Sequence, residues 1–239
     1  MRIKRGLSLA LCLALAIFSA GCAKISIVWN DAEPSRPESS SQVSADVWED
    51  YSGEAYTSLG SAPQFSAEEL SREPFESYSE LDQLGRCGKA EALCGRELMP
   101  TGERGSIGSI KPSGWHTVKY DFINGKYLYN RCHLIGWQLT GQNANPKNLI
   151  TGTRYLNTEG MLPFENMIAD YIKETGNHVL YRVTPDFRED ESVARGVQLE
   201  ALSVEDGGDG VCFNVYVYNV QPGVVIDYST GDSRAEENN

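Results

Sequence analysis

The chain has 239 residues, 41% of them hydrophobic, and a formal net charge of −12. That length suits one domain with room for a tail, and the charge argues against a chain built throughout to hold a polyanion. By position the balance is +3 over residues 1–22, −9 over 23–80, +3 over 81–185 and −9 over 186–239, so the middle of the mature chain is the one stretch suited to face phosphates, and only with modest affinity.

Residues 1–22 open with Arg2, Lys4 and Arg5 and continue as an uncharged apolar run. This is the composition of a secretory signal, and the run is short for a membrane span. It ends at Ser19-Ala20-Gly21-Cys22, which resembles a bacterial lipobox with Ser19 at a position where Leu is usual. On that reading Cys22 is the lipidated N-terminus and the chain is anchored to a membrane; a secreted chain with an ordinary signal is the alternative. Residues 23–77, rich in Ser, Glu, Asp and Pro, predict a disordered tether.

Folded structure is expected over 78–232, with 233–239 as a tail. The stretch 79–95 suggests a turn region with a short helix. Pro112-Ser113-Gly114 marks a turn. Trp115–Tyr120 and Lys126–His133 read as two strands joined through Asn124-Gly125. A short strand is expected over Leu149–Thr151. The spacing of Phe164, Ile168, Tyr171 and Ile172 is helical, with Pro163 in the first turn and a stop near Gly176-Asn177. Three alternating stretches follow, beginning at His178, Gly196 and Val211, the last two joined by Asp206-Gly-Gly-Asp-Gly210. Strands, helix, strands without βα alternation predict an α+β domain around an antiparallel β-sheet.

His133 is one of three histidines. Polar residues recur after it in order: Asn145-Pro146-Lys147-Asn148, then Asn157, then Glu165. On a continuous helix Asn157 and Glu165 would lie within roughly 80° of each other, although Pro163 between them predicts a kink. Taken singly, each has a plain structural role available: a packed histidine, turn and cap asparagines, a glutamate favoured by the helix dipole, an ion-paired arginine.

Taken in order, they resemble the motif of the DNA/RNA non-specific endonuclease family, the ββα-metal (His-Me finger) nucleases, and in particular the secreted DNA-entry nucleases and streptodornases of Gram-positive bacteria. Asn130-Arg131-Cys132-His133 stands where that motif has Asp-Arg-Gly-His. The resemblance covers roughly the stretch from Tyr78 to Asp232. It implies a ββα-metal catalytic motif and Mg²⁺-dependent hydrolysis of phosphodiester bonds without base specificity. DNA is the implied substrate, with RNA left open and Mn²⁺ as an alternative ion. It assigns His133 as general base, Asn157 as metal ligand, Asn148 as support for the site, Glu165 as holder of metal-bound waters and Arg131 as phosphate contact. His116 and His178 are left structural.

The residue types suit that chemistry. A neutral imidazole is a fitting base near neutral pH, and an amide oxygen is a hard ligand for a cation that keeps most of its waters. Asn130 and Cys132 depart from the motif, which leaves open a weakened nuclease fold that binds DNA at the cell surface without cutting it. A structural zinc site from Cys87, Cys94, Cys132 and His133 is a further alternative, although the paired C-x-x-C spacing is absent. Disulfide pairing among Cys87, Cys94, Cys132 and Cys212 and the oligomeric state are not legible.

Overall fold

The computed structural model describes residues 51–237; the expected signal segment, Cys22 and the first part of the expected tether lie outside them. In chain order the elements are β1 (Tyr56–Ser58), α1 (Ala67–Leu70), β2 (Glu76–Tyr78), β3 (Ala90–Cys94), β4 (Tyr129–His133) and α2 (Trp137–Thr140). A 3₁₀ turn (Pro146–Asn148), β5 (Leu149–Thr153), a π-helical turn (Leu156–Met161), α3 (Leu162–Thr175), β6 (Val179–Asp186) and β7 (Gly196–Ser203) follow. The last are β8 (Cys212–Tyr218), β9 (Val224–Ile226) and β10 (Ser233–Ala235). Among the described residues no helix is long and apolar enough to cross a membrane.

Six strands form an antiparallel sheet in the order β1-β8-β7-β6-β3-β2. Side chains alternate across a strand, so one face carries Ala90, Ala92 and Cys94, Val179, Tyr181 and Val183, Val197, Leu199 and Ala201, and Val215 and Val217. Against this face pack Phe164, Ile168, Ala169 and Ile172 of α3, together with Leu134, Ile135, Leu139, Leu156 and Met161. The expected α+β architecture around an antiparallel sheet is therefore present.

The other face explains why folding starts before Tyr78. Arg182 projects there among Glu69, Glu91 and Glu200. Two of those carboxylates, Glu91 and Glu200, are buried. Buried charges need partners and cover, and the segment ahead of β2 provides both. Gln64 donates its backbone N–H to Glu200 at 3.0 Å and accepts from Arg182 at 2.9 Å. The Phe65 ring lies 4.5 Å from the guanidinium, and Ser66 and Glu69 form a capping box that starts α1. So residues 56–77 belong to the sheet and its cover rather than to a tether. At the other end, Ser233–Ala235 pairs with β9 where a tail was expected.

Two local expectations also change. The stretch 79–95 holds no helix; its second half is β3, whose five residues are all buried between β2 and β6. The hairpin through Asn124-Gly125 survives only as one bridge, Lys119 to Tyr127. Its second run goes on to become β4, whose partner is β5: Asn130 faces Gly152, Cys132 faces Ile150 and His133 faces Leu149. β4, β5 and α3 thus make the ββα unit, lying over the apolar face of the sheet.

Candidate active site

The sequence-nominated residues sit on four pieces of the ββα unit and its connections. Arg131 and His133 come from β4, Asn148 from the 3₁₀ turn, Asn157 from the π turn and Glu165 from the first turns of α3. All but Asn148 line one cleft of about 870 Å³. The cleft also takes in Arg104, Asn130 and Arg154, the aromatic rings of Trp115, Tyr127, Tyr129 and Trp137, and no carboxylate besides Glu165. It is therefore electropositive at its wall, in a chain that is acidic overall.

His133 is buried. Its Nε2 lies 2.8 Å from the carbonyl oxygen of Asn143, and its Nδ1 lies 3.2 Å from Nη2 of Arg104. A carbonyl only accepts and a guanidinium only donates, so Nε2 carries the proton and Nδ1 holds a lone pair. Burial holds the imidazole pKa below its ordinary value, and the Arg104 charge pushes the same way. The ring is thus neutral at neutral pH.

Asn148 is fully buried behind the histidine, outside the cleft. Its Oδ1 accepts from the Ile135 N–H at 2.9 Å and its Nδ2 donates to the Ile135 carbonyl at 3.0 Å. The Asn148 carbonyl also accepts from the Leu134 N–H at 2.9 Å. One side chain thereby replaces a strand partner for the backbone just after His133, and fixes the exit of β4.

Asn157 does not share a continuous α-helix with Glu165. The N–H of Leu162 bonds the carbonyl of Asn157, five residues back. Pro163, next in line, has no N–H to continue the tighter ladder, which gives the turn a reason to widen there. The Leu156 N–H at the head of this turn donates to Thr153 Oγ1 at 2.9 Å. Glu165 is buried on α3, and burial raises its carboxyl to about 7, opposed by the Gly136 N–H and the Arg104 charge. A Cβ at Gly136 would lie 2.5 Å from Glu165 Oε2, so a larger residue there would push this carboxyl from its place at the head of α2.

Arg131 lines the cleft in a braced form. It donates to the carbonyls of Ile110 and Gly108, the latter at 2.9 Å, and lies 4.0 Å over the Trp115 ring. Those bonds tie the 107–115 segment to β4. Asn130 lines the same cleft, but its Nδ2 is shielded from solvent and has no acceptor.

Sequence reading missed Arg104, Asn143 and Gly136. Arg104 lies in the irregular Gly102–Gly105 stretch, where no periodicity marks a residue, and it meets His133 only through the fold. The zinc alternative is not supported by the geometry. Cys87 directs its thiol to the carbonyls of Pro146 and Leu149, both at 3.2 Å. Among the described residues no three His, Cys, Asp or Glu side chains gather to hold a metal. Cys87, Cys94 and Cys132 are buried, unbridged thiols, and Cys212 is half-buried at the start of β8. His116 and His178 stand outside the cleft; His178 sits between Glu97 and Glu205.

The DNA/RNA non-specific endonuclease family model matches residues 67–205. The NucA nuclease from Streptococcus agalactiae, solved without metal and with magnesium bound, is 25% identical, with a TM-score of 0.65 over 73% of this chain and 84% of that one. The Sda1 nuclease, solved with a bound zinc ion, is 24% identical, with a TM-score of 0.63 over 76% of this chain and 97% of that one, a likeness of fold. An extracellular endonuclease at 21% identity shares the fold with a TM-score of 0.56 over 78% of this chain. The family model spans more than half of the sequence and includes the whole ββα unit, and on that ground the protein belongs to the DNA/RNA non-specific endonuclease family and is a nucleic-acid hydrolase.

Proposed function

We propose that this nuclease is an extracytoplasmic, Mg²⁺-dependent enzyme that cuts DNA, and RNA as a second substrate, with His133 as general base. The observation that carries the reading is the lone pair on Nδ1 of a neutral, buried histidine, set in a cleft walled by Arg104, Arg131 and Arg154.

The residues present suit a hard divalent cation. Asn157 and Glu165 offer oxygen donors in the cleft, and the Glu165 carboxyl, raised by burial, is a group that a nearby cation would return to its ionised form. Two such side chains leave most of a cation's shell to water, as magnesium prefers. When bound, the ion would neutralise charge developing on the phosphate. Asn157 would ligate it directly and Glu165 would accept hydrogen bonds from its waters.

The remaining steps belong to the chain's own groups. Arg104 occupies Nδ1 of His133 until a phosphate offers its guanidinium better acceptors, which frees the lone pair. His133 then takes a proton from water as the water oxygen bonds to phosphorus. The scissile P–O bond breaks, and the leaving oxygen departs with the electron pair and takes a proton from solvent. The protonated ring keeps Asn143 as acceptor on Nε2.

The similar NucA was solved with magnesium and the similar Sda1 with zinc, which supports a divalent ion and leaves its identity to experiment. Location outside the cytoplasm rests on the signal-like first segment and on the extracellular nucleases that share the fold. Anchoring through a lipid on Cys22 rests on the lipobox-like sequence alone. Plasmid nicking by the full chain with Mg²⁺, with Mn²⁺ and with EDTA tests the enzyme reading. Intact plasmid with both ions, together with retained DNA binding, would favour the binding-only alternative. Recovery of wild-type protein wholly in the aqueous phase of a detergent partition would remove the lipid anchor.

A further inference from the structure

We propose that Cys132 is a positioning residue whose thiol holds the carboxamide oxygen of Asn157, and so sets the affinity of the site for its divalent ion. The inference rests on the assignment of Asn157 as metal ligand. Cys132 Sγ lies 3.2 Å from Asn157 Oδ1, nearer than its other two partners, Met161 Sδ at 3.6 Å and the His133 carbonyl at 3.8 Å. The contact joins β4 to the π turn, two elements held together here by a side chain.

The thiol has a built place. A Cβ at Gly152, on the neighbouring strand, would lie 2.6 Å from Cys132 Cβ and 3.3 Å from its Sγ. The side chain thus fills space that the partner strand leaves empty. Cys132 is buried and lies outside the cleft, whereas Asn157 lines it. The thiol therefore reaches the amide from the core side. Its S–H is the donor of this contact, since the amide oxygen can only accept. A carbonyl oxygen has two lone pairs. With one engaged by the thiol, the carboxamide is fixed in rotation and the other lone pair remains for a ligand on the cleft side. Without the donor the amide is free to turn, and its NH₂ end to face the ion.

The test is Mn²⁺ binding to the full chain without nucleic acid, read from the free-ion electron paramagnetic resonance signal. Cys132→Ala removes the donor and should weaken Mn²⁺ binding by about threefold to tenfold, the range of one net hydrogen bond. Cys132→Ser restores a donor and should bind within about twofold of wild type. Truncation also leaves a small void, so the metal-free thermal midpoint of the alanine variant should fall modestly, and Cys132→Ser separates that effect from the lost donor. If Cys132→Ala does not fold, Cys132→Val, which keeps the buried volume without a donor, serves with the same expectation. Unchanged or tighter binding in the donor-free variant, with weakened binding in Asn157→Ala, overturns the inference alone; tighter binding would mean that the thiol competes with the ion. Equal weakening in the alanine and serine variants also overturns it, in favour of packing. If Asn157→Ala itself leaves Mn²⁺ binding unchanged, the ligand assignment falls and the inference with it.

Discussion

The ring Nε2 of His133 stands 2.8 Å from the carbonyl oxygen of Asn143, ten residues on. That single bond decides the tautomer, because a carbonyl has no proton to give. It leaves Nδ1 as the basic atom and, on the proposed mechanism, gives the loop after α2 the task of holding the base. His133→Ala should therefore lower the cleavage rate by about 10²–10⁴-fold or more while Mn²⁺ and DNA binding persist. Added imidazole should restore part of the rate in proportion to its neutral fraction. Loss of Mn²⁺ binding in this variant, with Asn157→Ala unaffected, would reverse the two roles.

Arg104 lies 3.2 Å from Nδ1 of the same ring, and its charge helps hold the imidazole pKa low. Removing that charge favours the protonated ring. In Arg104→Ala the His133 titration, followed by NMR in chelated protein, should move to higher pH, and the acid limb of cleavage should move with it. Arg104→Lys should keep more of the shift than Arg104→Ala but lose the forked donor that a phosphate uses. A His133 titration unchanged in Arg104→Ala would remove this coupling.

Glu165 shows a site residue held against stability. Burial raises its carboxyl from 4.5 to about 7. A group whose folded pKa lies above its unfolded value stabilises the fold fully below the unfolded pKa, and that contribution is lost as pH rises through the folded pKa. Metal-free protein should thus lose stability between about pH 5 and 8, by at most about 3 kcal/mol from this group. Glu165→Gln should unfold at a higher temperature than wild type near pH 8, and at nearly the same temperature near pH 5, when both are measured in chelator. Equal midpoints near pH 8 would show that the carboxyl is not strained by burial. The same variant should lose activity, because the amide cannot hold metal-bound waters as an ionised carboxylate does.

Asn148 pairs with both backbone groups of Ile135 at 2.9 and 3.0 Å. Asn148→Ala leaves a buried N–H and a buried C=O without partners, at a cost of about 2–5 kcal/mol. Denaturant unfolding should show that loss, and the His133 ring resonances should shift as the exit of β4 relaxes. Asn148→Asp keeps the acceptor for the N–H but sets a carboxylate against the Ile135 carbonyl, so it should not restore stability.

Much of this architecture is encoded locally in the chain. Period-two stretches after residue 178 and the helical spacing from Phe164 specify the central strands and α3, since side-chain alternation and helical repeat are local properties. The motif from Asn130 to Glu165 is legible for the same reason: its pieces follow one another along one supersecondary unit. The tertiary structure decided what depends on distant segments meeting. Residues 56–77 have the composition of a tether, yet Gln64, Phe65 and Glu69 become ordered because Arg182 and the buried Glu91 and Glu200 require cover. Arg104 joins His133 across 29 positions and Cys132 meets Asn157 across 25, from stretches with no shared period. Gly136 leaves room for the Glu165 carboxyl of another helix, which arrives beside it only in the fold. Burial then sets the protonation of both His133 and Glu165, and burial is a property of the packed chain, which no run of neighbouring residues encodes.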